Sequence, residues 1–252
     1  MAREVALYEI PKTPETARVL DDSILKGYND SVKSAYNSDK AREVLSKFEK
    51  AEGELAGSNS FMLVHLQNSG LVTGRIAIRQ DLEKALRSGL NLSGNYVDFG
   101  LALRTAGDSY SPNDLLAKIL AGQLDRRGIK LGKGKFIPVS ALRLREDSDS
   151  EYGLVFDLND NAEVTDLASQ KWDYTKEDGL ARAFLYRCGG WDSDDDGLAF
   201  SGGGGRVVVV SGEATAKNFL DKKLVELQKT RDAEIAGIAE RYAKAEKLLL
   251  GK

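Results

Sequence analysis

Asp192, Asp194 and Asp196, followed by Gly197, reproduce the first half of a calcium loop, D-x-D-x-D-G, in which carboxylates at alternate positions wrap a hard cation. The second half is missing. Counting from Asp192, the place of the bidentate glutamate falls on Gly203, and the "RVVVV" that follows reads as a strand where a calcium loop would continue into a helix. The bland reading is an acidic solvated loop; a calcium-stabilised structural or adhesion module on Asp192–Gly197 stands as the alternative.

Other candidate chemistry is weaker. Bare amides from Gly202 to Gly205 could face an anion, but a phosphate loop needs Gly-Lys-Ser/Thr and then a helix, and the neighbouring aspartates would repel phosphate. His65, the single histidine, sits in the apolar run "FMLVHLQ" with no Cys, Ser or carboxylate at useful spacing, and reads as structural. Cys188, the single cysteine, excludes an internal disulfide or a thiolate cage. Arg126, Arg127, Lys130, Lys133 and Lys135 crowd into "RRGIKLGKGKF". No aromatic interleaves to stack on a base, and cations are favourable at a helix C-terminus, so this reads as a helix end. With no convergent acid, base and nucleophile, neither catalysis nor a cofactor is expected.

The elements that would position these residues follow from periodicity. "REVALYEIP" alternates as a first strand, and helices are predicted over 14–36 and 39–56. "FMLVHLQ" and "LVTGRIAI" read as strands around a turn at 68–70, "RQDLEKALRSG" as a short helix and "NYVDFGLALR" as a strand. "SPNDLLAKILAGQLDRRG" is helical, with "KFIPVSALRLR", "YGLVFDL", "GLARAFLYR" and "RVVVV" as later strands. From about 213 to 250 Ala, Lys, Glu and Leu dominate without proline, which predicts a long C-terminal helix. This is an α+β pattern of mostly antiparallel strands, with helices at both ends, and is expected to form one elaborated domain over 1–252.

With 42% hydrophobic and 30% charged residues, the composition is that of a globular protein, and a net charge of −3 argues against nucleic acid as a whole-molecule partner. No signal-like start and no long apolar run is present, so no membrane span is expected. Location is cytoplasmic by default, or display on a cell or virus surface.

One further property separates 186–205 from the rest. Apart from Trp191 it uses only Tyr, Arg, Cys, Gly, Asp, Ser, Leu, Ala and Phe. Lys, Glu, Gln and Met, which with Trp are the residue types whose codons always end in a purine, are absent. Codons randomised at their first two bases and holding a pyrimidine third would leave this signature. A flexible Gly/Asp-rich loop would also lack many of these types.

The run "GLARAFLYRCGGWDSDDDGLAFSGGGGRVVVVSGEATAK" resembles the variable region of diversity-generating retroelement target proteins, in particular the archaeal type of Nanoarchaeota relatives, which has a C-type lectin fold. In that family a reverse transcriptase errs at template adenines, so chosen codons in this segment become a wide mixture. The resemblance implies a C-type lectin-like fold with a variable region at about 180–210 and a non-enzymatic surface for an unknown ligand, a protein or cell-surface molecule. It places Tyr186, Cys188, Gly189, Gly190, Asp192, Ser193, Asp194, Asp195, Asp196, Phe200, Gly202, Gly203 and Gly204 in direct contact with that ligand. "LARAFL", Trp191 and "GRVVVV" match its invariant stretches, with Trp191 as a structural anchor whose indole N–H is bonded. The helix after the variable segment departs from the bacterial and phage members.

Overall fold

The computed structural model describes residues 16–104, 115–129, 134–160, 162–166, 173–174, 179–186, 190–194, 197–212, 231, 235 and 237. The chain divides into two units, Thr16–Ser211 and a second formed by Met1–Glu15 with Gly212–Lys252. In the second unit Arg231, Ile235 and Gly237 are helical. The predicted first strand and the rest of the predicted C-terminal helix lie outside the described residues. Everything below concerns the first unit.

Mixed helix and sheet is present, as the α+β pattern predicts. β1 (Thr16–Val19) is followed by a one-turn 3-10 helix, then α1 (Leu25–Ala35) and α2 (Asp39–Leu45). The helix predicted over 14–36 is therefore shorter. Its first residues pair instead with the last strand, and Asp21 caps the turn between by accepting from the Ser23 amide. The helix predicted over 39–56 ends at Leu45, after which β2 (Glu49–Ala51) and β3 (Glu54–Ala56) form a hairpin. Glu52 and Gly53 carry φ of 53° and 84° at its tip, the conformation of a two-residue type I′ turn.

The predicted strand "FMLVHLQ" is α3 (Ser60–Asn68). Asn59 caps it by accepting from the Met62 amide at 2.8 Å, and residues from Ser60 to Leu66 are all buried. A helix apolar all round shows no amphipathic period, which is why it passes for a buried strand. β4 is only Arg75–Ile76. Gly74, just before it, has φ 122° and lies so close to the last strand that a Cβ there would collide with the Val210 carbonyl.

α4 (Arg79–Arg87), β5 (Tyr96–Arg104), α5 (Leu115–Arg126) and β6 (Lys135–Pro138) follow close to expectation. A 3-10 turn at Val139–Ala141 then separates β6 from β7 (Leu142–Glu146), and β8 (Leu154–Leu158) pairs back on β7. The short β9 (Thr165–Asp166) and β10 (Asp173–Tyr174) precede β11 (Gly179–Leu185), β12 (Trp191–Asp194), β13 (Gly205–Arg206) and β14 (Val208–Ser211).

β14 lies between β1 and β4, antiparallel to both, so the two ends of the unit share one sheet. The larger sheet runs β10-β12-β11-β5-β13-β3-β2, with β6 and β9 also attached through β5. Two apolar clusters fill the interior. The first centres on α3, where Phe61 stacks on Phe156 at 4.5 Å; the second holds Val97, Phe99, Ala183 and Leu185. The four valines alternate between them, Val207 and Val209 in the first, Val208 and Val210 in the second. A strand buried on both faces reads as an unbroken apolar run, which accounts for "VVVV".

A candidate ligand-binding surface

β11 and β12 are antiparallel, with Leu185 opposite Trp191, Phe184 opposite Asp192 and Ala183 opposite Ser193. Residues directly opposite share a face, so Trp191 and Ser193 lie on the side of Leu185 and Ala183, and Asp192 on the side of Phe184. Trp191 joins the second cluster, its ring edge-on to Phe99 at 5.7 Å and beneath the Arg79 guanidinium at 4.8 Å. It is an anchor by packing; the expected partner for its indole N–H is not found among the described residues.

On the opposite face the sheet carries a buried ion pair. A bulge at Phe99 shifts the register between β5 and β11, so that Ala183 faces Gly100 and Phe184 faces Asp98. That shift turns Asp98 toward Arg182. Arg182 donates through Nε and Nη2 to the two Asp98 oxygens at 2.9 and 2.7 Å, and the side chains are 6% and 1% exposed. Ser58 Oγ donates to Asp98 Oδ2 at 2.6 Å. Burial opposes the Arg182 charge, but attraction and hydrogen bonds from Asp98, with Tyr96 adding to them, outweigh it and raise its pKa. The guanidinium lies 5.3 Å from both the Tyr96 and Phe184 rings.

From this base, side chains elsewhere in the fold, joined by Arg206 at the segment's own end, hold the backbone of 197–206. Arg182 Nη1 reaches the Gly197 carbonyl at 3.4 Å, while Lys47 Nζ and Asn59 Nδ2 both donate to the Ala199 carbonyl, at 3.0 and 3.2 Å. The Tyr96 hydroxyl accepts from the Gly202 amide at 2.9 Å and donates to the Ser58 carbonyl at 3.1 Å. Arg206 Nη1 donates to the Gly203 and Gly205 carbonyls, both at 2.8 Å, and its Nε pairs with Glu54 at 2.6 Å. Two more side chains of the segment are themselves used: Leu198 is buried in the first cluster, and Ser201 Oγ accepts from the Ser58 amide. Gly205 is also fixed, since a Cβ there would meet Ser58, Gly57 and the Tyr96 hydroxyl within 2.8 Å.

The remaining side chains are displayed. Phe200 is 59% and Tyr186 48% exposed, two of the few large apolar residues at the surface. Tyr186 packs against Phe184 at 6.1 Å, Phe184 against Tyr96 at 6.5 Å, and Tyr96 holds the Gly202 amide over which the Phe200 ring lies. The buried Phe184 and Tyr96 thus link the two. A Cβ at Gly190 or Gly203 would meet nothing, and at Gly202 only an ordinary contact with Phe200. Gly202 and Gly204 are half-buried.

Two expectations change here. Ser193 is 1% exposed and its hydroxyl has no hydrogen-bond partner among the described residues, so it lies beneath the surface rather than in contact with a ligand. Trp191–Asp194 is a strand with β10 on one side and β11 on the other, not the turn of a calcium loop; Asp192 uses Oδ1 to accept from the Ser193 amide. Asp194 stands opposite Arg182 in that register. Cys188, Gly189, Asp195 and Asp196 lie outside the described residues. Among the described ones, no three His, Cys, Asp or Glu side chains converge as a metal site.

The bracing residues were not singled out from the sequence. A single Asp inside "YVDFGLALR" and a single Arg inside "GLARAFL" were the available signal, opposite charges each embedded in an apolar strand. No protein-family model, curated protein or solved structure matches this chain.

Proposed function

We propose that the protein is a non-enzymatic binder whose surface around 186–204 is diversified by a retroelement and carried on a C-type lectin-like frame. The observation that carries this is the division of labour at 197–206: side chains from outside the segment, with Arg206 at its end, set its path, while Phe200 and the bare Gly203 face outward. A loop held by its backbone can change its side chains without changing its course. The purine-ending codon types missing from 186–205 point the same way. The antiparallel pairing of β1 with β14, which joins the ends of the unit, suits the proposed frame.

The ligand is a protein or cell-surface molecule, met by Tyr186 and Phe200 as apolar contact area and by Asp192 as a source of negative potential. The test is the gene's surroundings. An imperfect repeat of codons 186–205, differing at template adenines and beside a reverse-transcriptase gene, is expected; its absence overturns the retroelement reading.

A further inference from the structure

α5 and the β7–β8 hairpin enclose an open groove of about 530 Å³. Its lining holds five cations, Lys118, Arg126, Arg127, Arg143 and Arg145, against two carboxylates, Asp157 and Asp160. Arg145 also pairs with Asp147 at 3.1 Å, which leaves two positive charges in one groove of a chain whose net charge is −3. The preference of helix C-termini for cations accounts for Arg126 and Arg127 but not for the two arginines that β7 contributes from across the groove.

Asp157 organises the strand side. It accepts from Arg145 Nε at 3.1 Å and from Gln123 at 2.8 Å, and lies 4.0 Å from Arg143, whose side chain is 54% exposed. Arg127 is held by the Leu158 and Asn159 carbonyls, which fix its position and leave its charge uncompensated. Among the described residues, Lys118 and Arg126 make no ion pair. With Gly122 between them they form one row of the helix, four residues apart.

Gly122 is the independent observation. Glycine is a poor helix former, and here packing does not require it, since a Cβ would meet nothing within 4 Å. What it does is keep the groove floor bare between two free cations.

We propose that this groove binds a small polyphosphorylated molecule. Excess positive charge in so small a volume matches the charge density of linked phosphates, which guanidinium forks clamp in pairs. Among the described residues, no aromatic side chain lines the groove to stack on a nucleobase, which favours a small anion over a nucleic acid strand.

The test is calorimetric titration of the full chain with inorganic tripolyphosphate at low ionic strength. One saturable site is expected, weakened at least tenfold by Arg126→Glu and by Arg143→Glu. Gly122→Leu should also abolish it while melting no lower than the parent, since leucine favours the helix. Absence of saturable binding, or Gly122→Leu binding within twofold of the parent, would overturn the proposal. So would a single-stranded oligonucleotide held in the groove that tripolyphosphate fails to displace.

Discussion

α3 and the 197–206 segment solve opposite problems. In α3 the backbone satisfies itself through its helix, and side chains from Ser60 to Leu66, all buried, decide where it sits. Ahead of β13, the backbone of 197–204 turns without a regular ladder, and Lys47, Asn59, Tyr96, Arg182 and Arg206 hold its carbonyls and amides. Side-chain identity is thus decisive in the helix and largely dispensable in the loop, apart from Leu198, Ser201, Gly205 and Arg206. Asn59 serves both, capping the helix through Oδ1 and bracing the loop through Nδ2.

The largest expected break comes from beneath the loop. Asp98→Ala leaves Arg182 buried without its partner, a loss of about 3–5 kcal/mol in stability. Urea unfolding should register it, and a loss below about 1 kcal/mol would mean that the pair does not support the sheet.

In α3, His65 sharpens the comparison through pH. Its Nε2 lies 2.8 Å from Ser31 Oγ and its Nδ1 3.2 Å from the Tyr36 hydroxyl, and burial lowers its pKa from 6.5 to about 4. The folded state therefore holds fewer protons than the unfolded one between those values. His65 contributes fully above about pH 6.5, and the contribution falls by roughly 3 kcal/mol as pH drops toward 4. Urea midpoints for the parent and His65→Gln between pH 4 and 7 should converge at the acid end. Parallel curves would contradict this.

Asn59→Ala should cost about 1–2 kcal/mol for the helix cap, and it should also loosen the loop. Hydrogen exchange at the Phe200 and Gly202 amides should then rise more than in α3. The smallest effects belong to the displayed positions: Phe200→Ala and Gly203→Ser should shift unfolding free energy by no more than about 0.5 kcal/mol. A larger loss at either would place it among the braces.

The amphipathic helices and long strands were legible in the sequence. α4, α5, β5 and β11 were each read from periodicity close to their observed limits. α3 was misread because its burial on every side erased the period, and β1 because only its pairing with β14, far along the chain, makes it a strand. The hairpin tip at Glu52-Gly53 was read through as helix. At the surface, Trp191 was recognised as packed, whereas Ser193 was misplaced because strand alternation alone turns it inward. The braces were invisible for a different reason: Lys47, Ser58, Tyr96 and Arg182 are far apart in sequence and meet only after the sheet has formed.

The central claim is that 186–204 tolerates diversity which its supports do not. Two libraries test it: one randomises codons 190, 192, 200 and 203 with a pyrimidine third base, the other randomises codons 58, 59, 98 and 182. Protease resistance of displayed chains would report folding in each. The account predicts that most members of the first library fold and few of the second do; equal loss of folding in both would contradict it.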